Sequence, residues 1–348
     1  MLIGIIAVII FLSILILVHE LGHFVAAKKF GLLVEEFGFG LPPQIWKKKI
    51  GETIYSINAL PFGGFVKIYG EDREEKAEKD RSFASLPIKK RSLIIFAGVL
   101  MNFLLGWLLI SIIFSIGIPQ AVMVTQVKSN SPAAEIGLLA GDEILSVETD
   151  SRGLDTQINA DNFIKFIDEN RGKEIVLKIE RQGTVKEFKT IPRVNPPAGE
   201  GALGIGLIEA GLPKKNLISS IWEGLKTSVE IIRAVFAAIF NLITKALVGK
   251  ATLEQIAGPI GIVKITAQAG SLGFVYLLQL LALISLNLVV INIFPFPALD
   301  GGRLLFLLIE KIKGSPLPIK FEKYANAVGM AFLLFLMIVI TIKDIIRF

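Results

Sequence analysis

Histidine occurs twice in this 348-residue chain, at positions 19 and 23, within the run His19-Glu20-Leu21-Gly22-His23. On a helix, residues i and i+4 differ by about 40° in azimuth and one turn in height, so both imidazoles leave the same face and can chelate one metal ion. In an H-E-x-x-H helix the two His bind zinc, and the Glu acts as general base towards a water whose pKa the metal lowers to about 7. The plainer alternative, polar residues marking where a membrane helix meets water, fits poorly with a chain that uses His nowhere else. Catalytic zinc takes three protein ligands and leaves one position open. The chain has no Cys and no third His, so a carboxylate must complete the set. Asp300 is the candidate. It follows Asn292, Pro295, Pro297 and Leu299 at the end of a long apolar stretch, where prolines two apart open the helix and the freed backbone must face protein or a water-filled cavity. Alone, an Asp there would read as a helix cap; beside an incomplete metal site it reads as the third ligand.

The elements that must position these groups are membrane helices. Hydrophobic residues make up 53% of the chain and the mean hydropathy is +0.64, too apolar for a soluble domain of this size. The net charge of +6 arises in loops flanking apolar segments, which is a topology signal and not a nucleic-acid footprint. The first span runs through residues 1–27 and carries the metal motif in its last third; it lacks the basic start of a signal peptide and is expected to be retained. Residues 28–91 form a basic loop, expected on the cytoplasmic side, with short strands at Val34 to Phe39, Thr53 to Leu60 and Phe65 to Tyr69 and a charge run from Glu71 to Arg81. Residues 92–117 are the second span. Gly98, Asn102 and Gly106 share one of its faces, either as a packing surface or, at Asn102, as a hydrogen-bonding one.

Residues 120–193 change character, with frequent charges and alternating segments at Val122 to Val127, Glu143 to Glu148, Glu174 to Glu180 and Val185 to Ile191. Together with Ser131-Pro132-Ala133-Ala134 and Gly141-Asp142-Glu143-Ile144-Leu145 they resemble a bacterial PDZ domain, which implies peptide binding by strand addition or carboxylate capture; a generic soluble insert is the alternative. Residues 194–271 are expected to hold a linker and an amphipathic helix at Leu217 to Val248, lying on the external surface or packed at the bundle's edge because the parity of crossings leaves it no room to span. The third span, 272–302, ends in Leu299-Asp300-Gly301-Gly302; a basic loop, 303–323, and a fourth span with its tail, 324–348, follow. The expectation is a polytopic α-helical membrane protein with four transmembrane helices, an inserted extracytoplasmic PDZ domain of α+β type and a small membrane-associated β-hairpin.

With these motifs assembled, the chain resembles the site-2 proteases, intramembrane zinc metalloproteases of the bacterial sigma-E-regulator type. The likeness rests on His19-Glu20-x-x-His23, Gly38-Phe39-Gly40, the run from Pro61 to Lys67, Ala97-Gly98 with Asn102, Gly258-Pro259-Ile260, and the stretch from Asn292 to Gly302. It implies that His19, His23 and Asp300 bind Zn²⁺, that Glu20 is the catalytic acid/base, and that Asn292, Gly63, Gly64 and Phe65 hold substrate. It also implies single-span membrane proteins as substrates, such as an anti-sigma factor already cut outside or remnant signal peptides. The lipid bilayer and a PDZ peptide are the further partners, with no nucleic acid. The implied place is the inner membrane, with both termini and the PDZ extracytoplasmic and the site near the cytoplasmic face. Val99 departs from the proline usual after Ala-Gly, and Glu148 to Thr156 departs from the usual turn of that PDZ type. The competing reading is a non-catalytic PDZ adaptor with a structural metal.

Overall fold

The computed structural model describes residues 2–71, 79–150, 152–154, 158–181, 183–197, 199–249 and 258–347; most of the charge run and part of the 148–156 turn lie outside these. In chain order the elements are α1 (Leu2–Lys29), β1 (Val34–Ile50), β2 (Thr53–Ile68), α2 (Ile88–Ile116), β3 (Ile118–Val127), α3 (Pro132–Glu135), β4 (Glu143–Thr149), β5 (Arg152–Leu154) and α4 (Ala160–Glu169). There follow β6 (Ile175–Arg181), β7 (Thr184–Thr190), β8 (Ile205–Leu212), α5 (Leu217–Leu247), α6 (Pro259–Leu272), α7 (Phe274–Ile293), α8 (Asp300–Lys313) and α9 (Ile319–Arg347). They form two compact units, a helical one from residues 1–113 and 217–348 and a sheet unit from 114–216.

In the helical unit, α1 shows why an almost wholly apolar helix still has a defined orientation. Leu15, His19, Gly22, His23 and Ala27 are buried, whereas Ile10, Ile14, Leu17, Leu21 and Val25 recur every three or four residues on an exposed face that suits lipid. Without a hydrophobic drive between helices in lipid, close packing needs small residues at the contacts. At Gly22 an added Cβ would overlap the Ala97 carbonyl of α2; at Gly106 of α2 it would overlap Leu286 of α7. The Trp107 indole N–H donates to the Ile221 carbonyl at 2.9 Å, tying α2 to α5.

The two strands β1 and β2 make more than a simple hairpin. Residues Gln44 to Ile50 face Asn58 to Thr53, while Glu36 to Phe39 lie opposite both Lys67 to Gly64 and Ile54 to Ile57. Segments 44–50 and 64–68 are therefore the outer edges. Val34 and Ile68 join Ala27, Leu32, Phe83, Ile94, Ile95 and Leu307 in a buried cluster that fixes this sheet to α1, α2 and α8.

Four spans are not confirmed: among the described residues five helices, α1, α2, α5, α7 and α9, are long and apolar enough to cross a membrane. The helix assigned to a surface position, α5, is the fifth. Apart from Lys245 in its last turn, its charges crowd into the stretch from Glu223 to Arg233, leaving a largely apolar second half, and its buried positions, Ser220, Gly224 and Ser228, are small residues one turn apart. The stretch read as linker also corrects: β8 pairs with β3, and α6 is a separate helix ending before Gly273.

The sheet unit carries strands in the order β7-β6-β4-β3-β8, with β5 beside β4. Alternation produces its core: Ile175, Leu177 and Ile179 of β6 point inward against Ile144 and Val147 of β4 and against Phe163, Phe166 and Ile167 of α4. Ala202 and Leu203, past the prolines taken for a linker, are buried in the same core. Ser131 caps α3 by accepting from the Ala134 amide at 3.2 Å, and Asn159 forms a capping box with Asn162 at the start of α4. Asp142 is 1% exposed at its side chain and is gripped by Arg181 through two bonds of 2.6 Å and by the Leu139 amide at 2.8 Å. Burial pushes its carboxyl up, but the guanidinium and the amide prevail and hold it below the usual carboxylate range.

Candidate metal centre

His19 and His23 leave α1 one turn apart on its buried face, as i and i+4 spacing requires, each 9% exposed. Asp300 comes from 277 residues further along the chain than His23, at the first position of α8. Its Oδ2 lies 3.0 Å from His19 Nε2 and 3.3 Å from His23 Nε2, and the two Nε2 atoms are 3.2 Å apart. Their ligand atoms lie within 4.8 Å of one another, the one such group of three among the described residues.

These donors suit a divalent cation. The rings meet edge to face with centroids 4.8 Å apart, and their Nε2 atoms turn toward each other and toward Asp300 Oδ2. Asp300 Oδ2 is buried with no hydrogen-bond donor pointing at it. A buried oxygen left without a donor, aimed at two ring nitrogens, is costly in the metal-free state and satisfied by a cation at their centre. His23 Nδ1 donates to the Ile94 carbonyl at 2.9 Å; that oxygen can only accept, so the proton sits on Nδ1 and the Nε2 lone pair faces Asp300.

The surrounding backbone makes room. A Cβ at Gly98 would fall 2.9 Å from His19 Cε1 and closer still to His23 Nε2, so only glycine lets α2 lie against both rings. The Pro295–Pro297 loop folds back over the start of α8, and Cβ atoms at Gly301 and Gly302 would strike the carbonyls of Ile293, Phe294 and Phe296. The two glycines after Asp300 thus let the loop close and aim the carboxylate inward. Asn326 of α9 accepts from the Ala298 amide at 3.0 Å, and Arg303, three residues after Asp300, pairs with Glu71.

Glu20, on the turn that carries the histidines, faces the sheet: a Cβ at Gly64 would lie 3.4 Å from Glu20 Cγ. Gly64 belongs to the outer segment 64–68, so the edge runs beside the candidate base. Gly63, at φ +103°, lies next to Leu41, and the Phe65 ring fills the space above Gly38 on the sheet itself. Asn292 sits on the last turn of α7, half-buried, two residues before the loop. Spacing singled out the His pair and the lack of a third ligand pointed to Asp300, and the structure brings the three together; the contributions of Gly98 and of the Ile94 carbonyl depend on how α2 lies against α1, and no local pattern encodes that.

The sequence profile of peptidase family M50 matches residues 7–336. The chain belongs to peptidase family M50. It is a metalloprotease of the site-2 type, which replaces the adaptor reading. Relatives match it over nearly the whole of both chains. A candidate zinc metalloprotease of Clostridium perfringens is 38% identical over 96% of both chains. The regulator of sigma-W protease RasP of Bacillus subtilis is 30% identical over 99% of this chain and 98% of its own length. The zinc metalloprotease RasP of Shouchella clausii is 30% identical over 96% of each. Among solved structures, the PDZ domain of an SdrC-like protein of Listeria monocytogenes is 24% identical over 25% of this chain and 86% of its own, with a TM-score of 0.21.

Proposed function

We propose that this M50 chain is a zinc-dependent endopeptidase that cuts the transmembrane segment of single-span membrane proteins. His19, His23 and Asp300 hold the ion, and Glu20 is the acid/base. The observation that carries this reading is the buried triad itself: two Nε2 atoms converging on a donorless carboxylate oxygen, on helices flanked by exposed apolar faces, with Glu20 on the same turn.

Zinc held by this set would polarise the scissile carbonyl and acidify a water. The chain's own residues do the rest. Glu20 takes a proton from the attacking water and passes it to the leaving amine. His19, His23 and Asp300 come from helices locked by the Gly22, Gly98, Gly301 and Gly302 contacts, so the donors need little rearrangement during turnover. A substrate helix hides its amides in i to i+4 bonds and must open before it can be cut. The edge 64–68 beside Glu20 offers backbone partners to the opened segment, which offsets the hydrogen bonds it loses. Gly64, with no side chain, lets that segment approach Glu20. In this reading Asn292 holds substrate from the other side, and the sheet unit is a PDZ domain outside the cytoplasm that screens substrates already shortened there.

The test is cleavage of a single-span polypeptide co-reconstituted with the protein in vesicles, with product masses locating the cut. Cleavage within the span is the expected result. Cleavage confined to the extramembrane flanks would overturn the intramembrane reading while leaving the peptidase intact.

A further inference from the structure

Asn102 is 0% exposed on α2, and its Nδ2 lies 3.3 Å from His19 Nδ1, while its Oδ1 is buried with no donor. Two facts conflict in that arrangement. If Nδ2 donates to Nδ1, His19 must carry its proton on Nε2, the atom that converges with His23 and Asp300. The carboxamide oxygen would meanwhile stay buried and unpaired, which is unfavourable. Turning the carboxamide about its last torsion exchanges two groups of nearly the same size, gives the buried oxygen a donor and releases His19 Nε2 from carrying the proton, with the amide nitrogen taking the oxygen's former place. Oδ1 then accepts from His19 Nδ1–H, and the Nε2 lone pair is freed toward Asp300.

The surroundings support the same assignment. His23 is oriented in this way by the Ile94 carbonyl, and Asn102 stands two turns further along α2 from Ile94, facing the other ring. Ser285 of α7 donates to the Asn102 backbone carbonyl at 2.8 Å, fixing the turn that carries the side chain. Gly98, between them, leaves room for both rings. One helix therefore supplies both outer acceptors, one from its backbone and one from a side chain.

We propose that Asn102 is a positioning residue: its carboxamide oxygen holds His19 with the proton on Nδ1 and so presets Nε2 as a metal ligand. This rests on the metal reading of the site and adds to it the group that prepares His19 before the ion arrives. Because the chain has only two histidines, both in the site, protein produced with ¹⁵N-histidine and no polyhistidine tag reports these two rings alone.

The experiment is ¹⁵N imidazole spectroscopy of the metal-free full chain in detergent, at a pH where the rings are neutral, paired with zinc affinity from chelator competition. In wild type, His19 is expected to carry its proton on Nδ1. Asn102→Leu should shift His19 towards the Nε2–H form, leave His23 unchanged, and weaken zinc binding by about 10–100-fold. Asn102→Asp, which keeps an acceptor at that place, should bind zinc within several-fold of wild type. If Asn102→Leu does not fold, the wild-type spectrum decides alone. A His19 proton on Nε2 in wild type, or unchanged zinc affinity in Asn102→Leu, overturns the proposal. Wild type that takes up no zinc sinks the metal reading and this proposal together, whereas wild type that binds zinc with His19 protonated at Nε2 in the metal-free form removes only the role of Asn102.

Discussion

The side chains proposed to do the chemistry are set by neighbours that cannot themselves do any. Gly98→Ala puts a methyl group into both imidazoles, so bound zinc should fall below half an ion per chain, with a stability loss of about 1–3 kcal/mol from overpacking. Metal analysis and detergent-phase thermal unfolding measure the two effects. Outside the helices, Asp142 offers a pH signature. Its folded pKa is depressed, so the stability it provides is present above the unfolded value of about 3.9 and is lost as pH falls through the folded one. Hydrogen exchange of peptides from β4 and β6, corrected for intrinsic rates, should quicken as pH drops below about 4. Arg181→Met, which strands the buried carboxylate, should quicken it at neutral pH by the equivalent of about 3 kcal/mol. At this scale His19, Glu20 and His23 were legible because helical spacing is local. Asp300 stood out because two histidines alone would leave a catalytic zinc site one ligand short. Gly98 was visible only as a small residue on a face, since its purpose depends on rings brought from another helix.

At the level of elements, α8 must be held so that its first residue reaches α1. Arg91 of α2 and Glu310 of α8 form a buried fork at 2.5 and 3.1 Å, and Arg91 also donates to the Leu86 carbonyl at 3.0 Å. Arg91→Met takes the guanidinium from a buried carboxylate and should cost about 3–5 kcal/mol, and the double change Arg91→Met with Glu310→Met should recover most of that loss. Chemical denaturation in mixed micelles can compare the three proteins. Asp344 of α9 similarly accepts from the Gly258 and Gly261 amides at 2.9 Å each and caps α6; Asp344→Ala should cost about 0.5–2 kcal/mol in the same assay. The strands were readable from alternation, but the placing of Glu36 to Phe39 between two neighbours was not, because register is decided by the partner. The β8 strand was missed for a related reason: Pro196, Pro197, Gly199 and Gly201 read as a linker, and only the buried Ala202 and Leu203 show that the chain returns to the core. The α5 helix was set aside as a span by parity of crossings alone, although its length and composition would let it cross.

Across the whole molecule, apolar runs announced a membrane protein, and the match to peptidase family M50 over residues 7–336 makes it a metalloprotease. The number of spans was less legible, since parity counting assumes that every long apolar helix has been assigned correctly. What unites the molecule is the proposal that buried donors from distant parts of the chain, an acid/base on the same turn and a strand edge beside it act as one hydrolytic site. Glu20→Gln tests this most directly, because it removes the proton acceptor and leaves the three ligands in place. Purified wild type and Glu20→Gln would be given the same single-span substrate, with turnover and zinc per chain measured on the same samples. The account predicts turnover lower by about 10²–10⁴ in the variant, with about one zinc retained in both proteins. Equal turnover by the two proteins, with zinc retained, would contradict it.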